Sequence, residues 1–431
     1  MGKIGGKMYK WASDLFPINR SITGPGVRET LLYIKKIIKD LEIKSVPSGY
    51  KAFDWEVPDE WSVDEAYIET EDGKRIVDFK RNNLHLIGYS IPVDSWVTLN
   101  ELDEHLYSLP EQPEAIPYVT SYYKKHWGFC LPHKQRKTLK PGNYHVVIRS
   151  ELKSGVLNYA ELLLPGLSNK EVFLSTYICH PSMANNELSG PVVTTALAQW
   201  INTLNERYYT YRIIFVPETI GSIVYLSKNL EYLKGHVIAG FNITCVGDDR
   251  SYSYLPSRNG NTISDNVAQH VLKYTGYGSE KYTWFDRGSD ERQYCAPGVD
   301  LPIASIMRSK YGTYPEYHTS MDDLNLVTEK GLEGGYNMLK HAIDIIEKNV
   351  KLKVTVLCEP QLGKRGLYPS VSSKGSNIHV QTMMNLISLC DGTKSLLEIS
   401  DIIFKPFWDI FPIVQQLIEN KIIEAEHIES Y

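Results

Sequence analysis

The chain has 431 residues, more than a single core of roughly 250 to 300 residues accommodates, so two or three domains are expected. Its 42% hydrophobic and 23% charged residues are typical of a globular chain and exclude a disordered, collagen-like or coiled-coil protein. The net charge of −5 provides no overall basic surface, and no apolar run reaches the ~20 residues that span a bilayer. We therefore expect neither nucleic acid nor a membrane as a partner.

The six cysteines are scattered without a Cys-x-x-Cys pair, which argues against a zinc finger or a disulfide framework and favours free thiols. The first residues lack the apolar stretch of a signal peptide, and Gly6 stands where a myristoylation motif has Ser or Thr. Together these features predict a cytoplasmic protein.

Two helices are predicted within residues 5–41, separated by an interruption at residues 17–26. Residues 46–150 differ from the rest, because they hold four of the eight tryptophans among short β-prone runs and repeated Pro and Gly. This composition predicts a small β-rich domain. Its aromatic segments 53–55 and 118–127 either wall a cleft or form only its own core. Arg20, before the second helix, is a candidate contact for a substrate carboxylate.

After residue 150 strand and helix patterns alternate. The predicted strands are 171–179, 212–218, 236–246 and 301–308, and the predicted helices are 190–204, 222–233, 262–274 and 329–350. Such alternation predicts an α/β fold with a mostly parallel sheet covered by helices on both faces. Residues 1–45 and 151–350 then form this domain, with residues 46–150 inserted into it.

Residues 351–431 are predicted to be a linker and a winged-helix domain. The expected elements are a helix at 380–389, a turn at Asp391 and Gly392, a helix opened by a capping box of Ser395 and Glu398, a helix from Pro406 to Asn420, and a strand at 421–428. From residue 378 onward the segment has three basic and eight acidic residues. Because DNA affinity comes largely from phosphate neutralisation, this domain should not bind a duplex.

The third helix of this domain has no Lys or Arg, and the domain carries an aromatic face at and just before this helix. Its members are Phe404, Phe407, Trp408 and Phe411. Such a face suits docking on the α/β domain, on a second copy in a homo-oligomer, or on a partner protein.

Candidate site residues cluster where predicted strands end, which is where ligands bind in open α/β sheets. These residues are His180 after the first strand, Asn186 and Glu187 at the next helix, Glu218 after the second strand, Asp248 after the third, Asp290 and Glu291 in a later loop, and His318 after the last. Imidazole nitrogen and carboxylate oxygen are zinc ligands, and an unbound carboxylate can accept a proton from water.

Five short motifs carry a family resemblance. They are Cys-His180-Pro-Ser, Asn-Asn186-Glu-Leu-Ser-Gly, Glu218-Thr-Ile-Gly, Ser-Asp290 and Tyr-His318-Thr-Ser. In order and spacing they resemble the zinc aminopeptidases of the bacterial leucyl-aminopeptidase type, a family that includes glutaminyl cyclases. The whole chain more closely resembles a bacterial group of aminopeptidase-like proteins encoded among polysaccharide-biosynthesis genes, with an inserted β-rich domain and a C-terminal winged helix.

The resemblance implies a zinc-dependent metalloprotease-like hydrolase that acts on a small peptide-like or aminoacylated substrate, with a role in surface polysaccharide biosynthesis. His180 matches the first metal-binding histidine and His318 the last. Glu218 matches the glutamate that acts as general base. Asp290 matches an aspartate that belongs to a proton-handling network in the cyclase branch.

Three of the five usual metal ligands of that family are replaced in this chain. The bridging aspartate falls on Asn186, the second glutamate of a Glu-Glu pair on Thr219, and the aspartate after the third strand on Thr244. Without these carboxylates a close pair of zinc ions lacks compensating negative charge. About one zinc ion per chain is therefore expected. The same replacements support a second hypothesis, a non-catalytic binding or scaffold protein on this fold.

His180, His318 and one carboxylate would hold the single ion. Glu187 is the candidate third ligand, although in an α-helix one residue turns a side chain by about 100° away from its neighbour. The alternative third ligands are Asn186, Glu218 and Asp248. Asn186, Asp248 and Glu291 can instead hydrogen-bond to a metal ligand without contacting the ion. Glu187 can also be a first-turn acid favoured by the helix dipole. Strand alternation predicts that Cys179 is a core thiol facing away from His180.

Overall fold

The structure, a computed structural model, describes residues 3–275, 279–367 and 374–428, and an eight-stranded sheet lies at its centre. In spatial order the strands are Glu42–Pro47, Val156–Leu164, Thr210–Val216, Glu171–Tyr177, Val237–Asn242, Ile303–Met307, Tyr252–Leu255 and Ser279–Lys281. The four strands from Thr210–Val216 to Ile303–Met307 are parallel to one another. The strands on both sides of them pair antiparallel with this group. The predicted α/β fold is thus confirmed, and the parallel order holds for the middle of the sheet.

Helices and the inserted segment cover the two faces of this sheet. The long helices of the α/β domain are Lys3–Leu15, Pro25–Ile37, Ser189–Asn202, Ile220–His236, Ile263–Tyr274 and Glu329–Lys348, with a short helix at Glu291–Tyr294. The strand Glu171–Tyr177 shows why both faces need cover: Val172 and Leu174 belong to one buried core and Phe173 to another. The helix Ser189–Asn202 packs on the first face and the helix Ile220–His236 on the second.

The second helix is shorter than its apolar pattern predicts. It ends at Ile37, because Ile38 has an extended backbone with φ −115° and ψ 92°. The chain then forms the edge strand Glu42–Pro47 of the central sheet. Ile38 and Leu41 are still buried, although they lie in the segment that connects the helix to the strand and not in a further helical turn.

The segment 46–150 contains short strands, as its composition predicts. A four-stranded antiparallel sheet consists of Arg75–Asp78, Glu60–Thr70, Asn143–Lys153 and Val93–Thr98. Smaller elements are the strand pairs Lys51–Ala52 with Trp55–Glu56 and Leu106–Tyr107 with Phe129–Cys130, the 3-10 turn Asn83–His85, and the helices Leu99–Asp103 and His133–Arg136. A loop of this segment reaches the α/β domain, where the Tyr118 amide donates to the His318 carbonyl at 2.9 Å.

In residues 350–367 and 374–428, the structure describes a three-stranded sheet and three α-helices. The strands are Asp391–Ser395, Val350–Val354 and Ile423–His427, and the helices are Lys374–Ser388, Leu396–Ile402 and Phe407–Glu419. The capping box of Ser395 and Glu398 is confirmed. The predicted turn at Asp391 and Gly392 is wrong, because these residues begin a strand whose pairing contains a register shift. Part of the predicted linker, residues 368–373, lies outside the described residues.

The aromatic face of the last helix packs on the α/β domain. The amide of Phe407 donates to Nε2 of His270 at 2.9 Å, and Nδ1 of His270 lies 2.9 Å from Asp401. The Trp408 ring contacts the rings of His270 and His341, whereas Phe404 is 74% exposed. Across the described ranges, none of the helices is both long enough and apolar enough to cross a membrane.

Candidate functional site

A cavity of about 420 Å³ lies where two parallel strands end, at Tyr177 and Val216. The α/β domain contributes Ile22, Cys179, His180, Glu218, Thr219, Ile220, Arg292 and His318. The inserted segment contributes Trp55, Tyr118, Thr120, Tyr122 and Tyr123. The volume is typical of a small-molecule site. Of the two roles considered for the inserted aromatic segments, walling a cleft is the one that the structure shows.

Two histidines and one glutamate converge on this cavity. Nε2 of His180 lies 3.5 Å from Oε2 of Glu218, and the rings of His180 and His318 are 5.6 Å apart. Nε2 of His318 is buried without a hydrogen-bond partner among the described residues. Burial and the neighbouring His180 lower the pKa of His318 to about 3. His318 is therefore a neutral imidazole near pH 7, the form that binds metal ions.

Tyr118 of the inserted segment positions both histidine rings. Its ring lies edge-on at 5.2 Å from His180 and at 5.2 Å from His318. Its hydroxyl bonds to that of Tyr122 at 2.8 Å. The aromatic run 118–127 was the only sign of this role in the sequence, since no short motif marks Tyr118.

Glu187 lies behind His180 rather than in the cavity. Its Oε2 is 2.8 Å from Nδ1 of His180, the ring nitrogen opposite the one that approaches Glu218. A carboxylate in this position orients an imidazole and raises its basicity toward a metal. The segment Ala184–Leu188 is a π-helix, so the angular offset of an α-helix does not apply to Asn186 and Glu187. Glu187 reaches Nδ1 of His180, whereas Asn186 does not line the cavity.

Arg20 contacts both Glu187 and His180 from the interior of the protein. Its Nε lies 3.6 Å from Oε1 of Glu187 and donates to the His180 carbonyl at 3.0 Å. Its Nη1 donates to the Leu15 carbonyl at 2.7 Å. The predicted contact of Arg20 with a substrate is therefore wrong, because the side chain is fully buried and does not line the cavity.

Cys179 lines the cavity next to His180. The strand ends at Tyr177, so the alternation that predicts opposite directions for Cys179 and His180 no longer applies. The thiol accepts from the Glu218 amide at 3.3 Å, and burial raises the pKa of Cys179 to about 11. The thiol is therefore protonated near pH 7.

Asp290 lies beside Glu218, and its carboxylate accepts hydrogen bonds from the turn that follows Glu218 in the chain. One oxygen of Asp290 accepts from the Thr219 amide at 2.7 Å and from the Ser222 hydroxyl at 2.8 Å. Thr219 has φ 65°, a conformation that is strained for a β-branched residue. Burial and the charge of Glu218 raise the pKa of Asp290 to about 8. Burial also raises the pKa of Glu218, so the two carboxyl groups do not ionise independently.

Neutral groups occupy the surroundings of Asn186. Its side-chain oxygen accepts from the Tyr177 hydroxyl at 2.9 Å, and the Thr244 hydroxyl lies 2.6 Å from the same Tyr177 oxygen. None of the side chains of Tyr177, Asn186 and Thr244 is a carboxylate that could hold a second metal ion. The amides of Asn185 and Asn186 donate to Asp322 at 2.6 and 3.0 Å, which anchors the π-helix. Sequence reasoning missed Asp322, although it follows the His318 motif closely.

Asp248 and Glu291 do not line the cavity. Asp248 accepts from the Asn185 side chain at 3.0 Å and from the Ser309 amide and hydroxyl at 2.9 and 2.8 Å. Glu291 accepts from the amides of Gly288 and Ser289 and from the Tyr311 hydroxyl. The other oxygen of Glu291 accepts from the Asn242 side chain at 3.0 Å, so both carboxylates are used to hold loops together.

Donors for one zinc ion lie on two sides of His180. On the inner side, Cys179, His180 and Glu187 have ligand atoms that all lie within 4.8 Å of one another, and among the described residues this is the group that meets that spacing. On the cavity side, the Nε2 atoms of His180 and His318 are nitrogen donors, and Glu218 lies 3.5 Å from Nε2 of His180, which makes a wider set. The inner arrangement needs Nδ1 of His180, which already bonds to Glu187, whereas the unpartnered Nε2 of His318 favours the cavity side.

Comparison with known proteins relates the whole chain to bacterial relatives. A protein of Clostridium acetobutylicum, provisionally described as a polysaccharide biosynthesis protein with an aminopeptidase-like domain, is 43% identical over 403 residues, which cover 92% of this chain and 91% of that one. A crystal structure from the same organism, provisionally described as a peptidase, has a TM-score of 0.92 at 40% identity and covers 98% of this chain and 96% of that one.

A more distant neighbour is BSAP, a zinc aminopeptidase from Bacillus subtilis, with a TM-score of 0.56 and 12% identity over 79% of this chain and 94% of that one. At this identity the likeness shows a shared fold. Residues 350–425 match a winged helix-turn-helix model. Residues 9–349 match the model described as a domain of unknown function, DUF4910. The chain therefore belongs to the DUF4910 family and combines an aminopeptidase-like α/β fold with a C-terminal winged helix.

Proposed function

We propose that the protein is a single-zinc hydrolase of amide bonds, aminopeptidase-like in its chemistry and active in surface polysaccharide biosynthesis. The observation that carries this proposal is the convergence of His180, Glu218 and His318 on an aromatic-walled cavity, with Glu187 fixing the far nitrogen of His180. The descriptions of the relatives from Clostridium acetobutylicum agree with a peptidase-like enzyme and with the polysaccharide context.

His180 and His318 would hold the ion through their Nε2 atoms. When bound, zinc polarises a carbonyl group and lowers the pKa of a water molecule. Glu218 accepts the proton from the attacking water and returns it to the leaving nitrogen, so that water and an amide become a carboxylic acid and an amine. Asp290 and Glu218 titrate as a coupled pair, because burial raises the pKa of both carboxyl groups. Tyr118 and the other aromatic residues of the inserted segment wall the cavity beside these groups.

Metal analysis and an amide substrate panel test this proposal. We expect about one zinc per chain in the purified protein, with loss of the metal in His180→Ala and His318→Ala. Glu218→Gln should retain zinc and lose turnover, and the exposed variant Glu426→Gln serves as its control. Loss of zinc together with turnover in Glu218→Gln would make Glu218 a ligand instead of the proton acceptor. Full activity of metal-free protein would refute the proposal.

A non-catalytic binding protein is the second candidate, favoured by the neutral cluster of Tyr177, Asn186 and Thr244. In this cluster neutral side chains stand where a two-metal centre would need carboxylates. The donors on the cavity side, His180 and His318, are still present. Stoichiometric zinc with measurable amide hydrolysis would exclude the binding protein. Ligand binding in the cavity without hydrolysis of any amide would favour it.

A further inference from the structure

The charges that line the cavity are unusual for an enzyme that acts on a free amino terminus. Among the described residues, Glu218 is the only carboxylate in the lining and Arg292 the only arginine or lysine. An ammonium group that leaves water for an apolar cavity needs an acidic partner. Glu218 is already placed against His180 and, under the proposed function, accepts the proton from water. The described part of the lining therefore offers no further acid for a substrate ammonium group.

Arg292 instead provides a fixed positive charge. Its Nε donates to the Ser289 carbonyl at 3.0 Å, and its Nη2 donates to the Thr219 hydroxyl at 2.9 Å. These two bonds hold the guanidinium plane, while Nη1 makes no bond to any residue that the structure describes. A guanidinium held in this way binds a carboxylate with good geometry. Thr219, which holds the guanidinium, lines the same cavity next to Glu218.

Aromatic side chains form the remainder of the wall. Trp55, Tyr122 and Tyr123 come from the inserted segment and face the same cavity as Arg292. An acyl group can bury apolar surface against these rings, since each aromatic residue offers a large contact area. The cavity thus combines one apolar wall with one anion-binding group.

We propose that the substrate is an N-acyl amino acid, or a peptide end of the same chemistry, whose free carboxylate binds Arg292 and whose acyl group packs on the aromatic wall. This inference rests on the proposed function. In the reaction the acyl carbon to nitrogen bond breaks, a carbon to oxygen bond forms with water, and Glu218 transfers the proton of water to the leaving amine. The products are a carboxylic acid and a free amino acid.

Calorimetric binding of three probes of similar size tests the inference on the zinc-loaded protein. The probes are N-acetyl-L-tyrosine, N-acetyl-L-tyrosinamide and L-tyrosinamide, which are anionic, neutral and cationic. We expect the anion to bind on the order of tenfold more tightly than the neutral probe, since one charged hydrogen-bonded contact contributes about 1.5 kcal/mol or more. Binding of the cation should be the weakest. Tightest binding of the cation would overturn the inference.

Two variants, Arg292→Gln and Arg292→Lys, test whether the positive charge of Arg292 is what binds the anionic probe, independently of any change in the fold. Arg292→Gln should weaken binding of N-acetyl-L-tyrosine on the order of tenfold and leave the neutral probe unchanged, which also shows that the cavity is intact. Arg292→Lys should recover part of the loss. Equal weakening of the anionic and neutral probes in Arg292→Gln would overturn the assignment to Arg292.

Turnover distinguishes this inference from the proposed function. Faster hydrolysis of N-acetyl-L-tyrosine than of L-leucyl-L-tyrosinamide would support both. Preference for the free amine would overturn the substrate inference and leave the hydrolase standing. Binding that depends on Arg292, without hydrolysis of any probe, would support the anion site and refute the proposed function.

Discussion

Oε2 of Glu187 lies 2.8 Å from Nδ1 of His180, and this contact directs the other ring nitrogen toward Glu218 and the cavity. Glu187, the candidate third ligand, belongs with Cys179 and His180 to a group whose ligand atoms lie within 4.8 Å of one another, and its bond to Nδ1 also suits a residue that orients His180. Arg20 compensates the Glu187 charge at a depth where both side chains are fully buried. The three residues therefore act as one unit behind the proposed zinc ion.

Removing the Glu187 charge should weaken metal binding. We expect Glu187→Gln to lower zinc affinity about 10- to 100-fold, because the amide orients the imidazole less firmly and makes it less basic. Competition with a chelator of known affinity measures the change, with Glu426→Gln as the matched exposed control. Complete loss of zinc would instead identify Glu187 as a ligand, and an unchanged affinity would remove it from the site.

Arg20→Met should destabilise the metal-free protein by about 3 to 5 kcal/mol, because it leaves the Glu187 carboxylate buried without its positive partner. In the double variant Arg20→Met with Glu187→Gln, the loss should be smaller than the sum of the two single losses. Urea unfolding of the four proteins measures this coupling. Additive losses would contradict an interaction between the two side chains.

Asp290 gives the metal-free protein a defined pH dependence. Its pKa is raised to about 8 in the folded state, so the folded protein binds a proton that the unfolded chain has released. The contribution of this group to the free energy of unfolding should therefore fall as the pH rises from about 4 to about 8. The melting temperature of Asp290→Asn, relative to that of the wild type, should increase over this range. A constant difference would show that Asp290 does not carry the proton.

Tyr118 should act through its ring more than through its hydroxyl. Tyr118→Phe keeps the ring between His180 and His318 and loses the bond to Tyr122. Tyr118→Ala removes the packing of both imidazoles and opens the cavity, so we expect a loss of kcat/KM on the order of 100-fold, compared with a few-fold loss for Tyr118→Phe. Equal effects of the two variants would assign the role to the hydroxyl.

The winged-helix domain should not bind duplex DNA. From residue 378 onward acidic residues outnumber basic ones by eight to three, and the helix Phe407–Glu419 has no Lys or Arg. Its aromatic face packs on the α/β domain through Phe407 and Trp408. Fluorescence anisotropy with a labelled duplex at low salt should show no binding, because there is little charge to neutralise phosphates. Salt-dependent binding would contradict this expectation.

Much of the architecture could be predicted from local patterns. The alternation of strands and helices after residue 150 and the capping box of Ser395 and Glu398 depend on residues that are close in the chain. Strand ends converge at one edge of a parallel sheet, so the placement of His180 and Glu218 beside one cavity was also predictable. The turn predicted at Asp391 failed because its strand forms only with a partner about 40 residues away.

The sequence by itself thus determined the α/β fold, the winged helix and the residues from which a metal site can be built. Only the tertiary structure decided which of them face the cavity. The π-helix at Ala184–Leu188 turns Glu187 onto the inner nitrogen of His180, the inserted segment brings Tyr118 between two histidines, and Arg20 lies buried beneath them. Periodicity is a property of neighbouring residues, whereas Tyr118 and Arg20 reach His180 from segments that are distant in the chain, so packing alone brings them together.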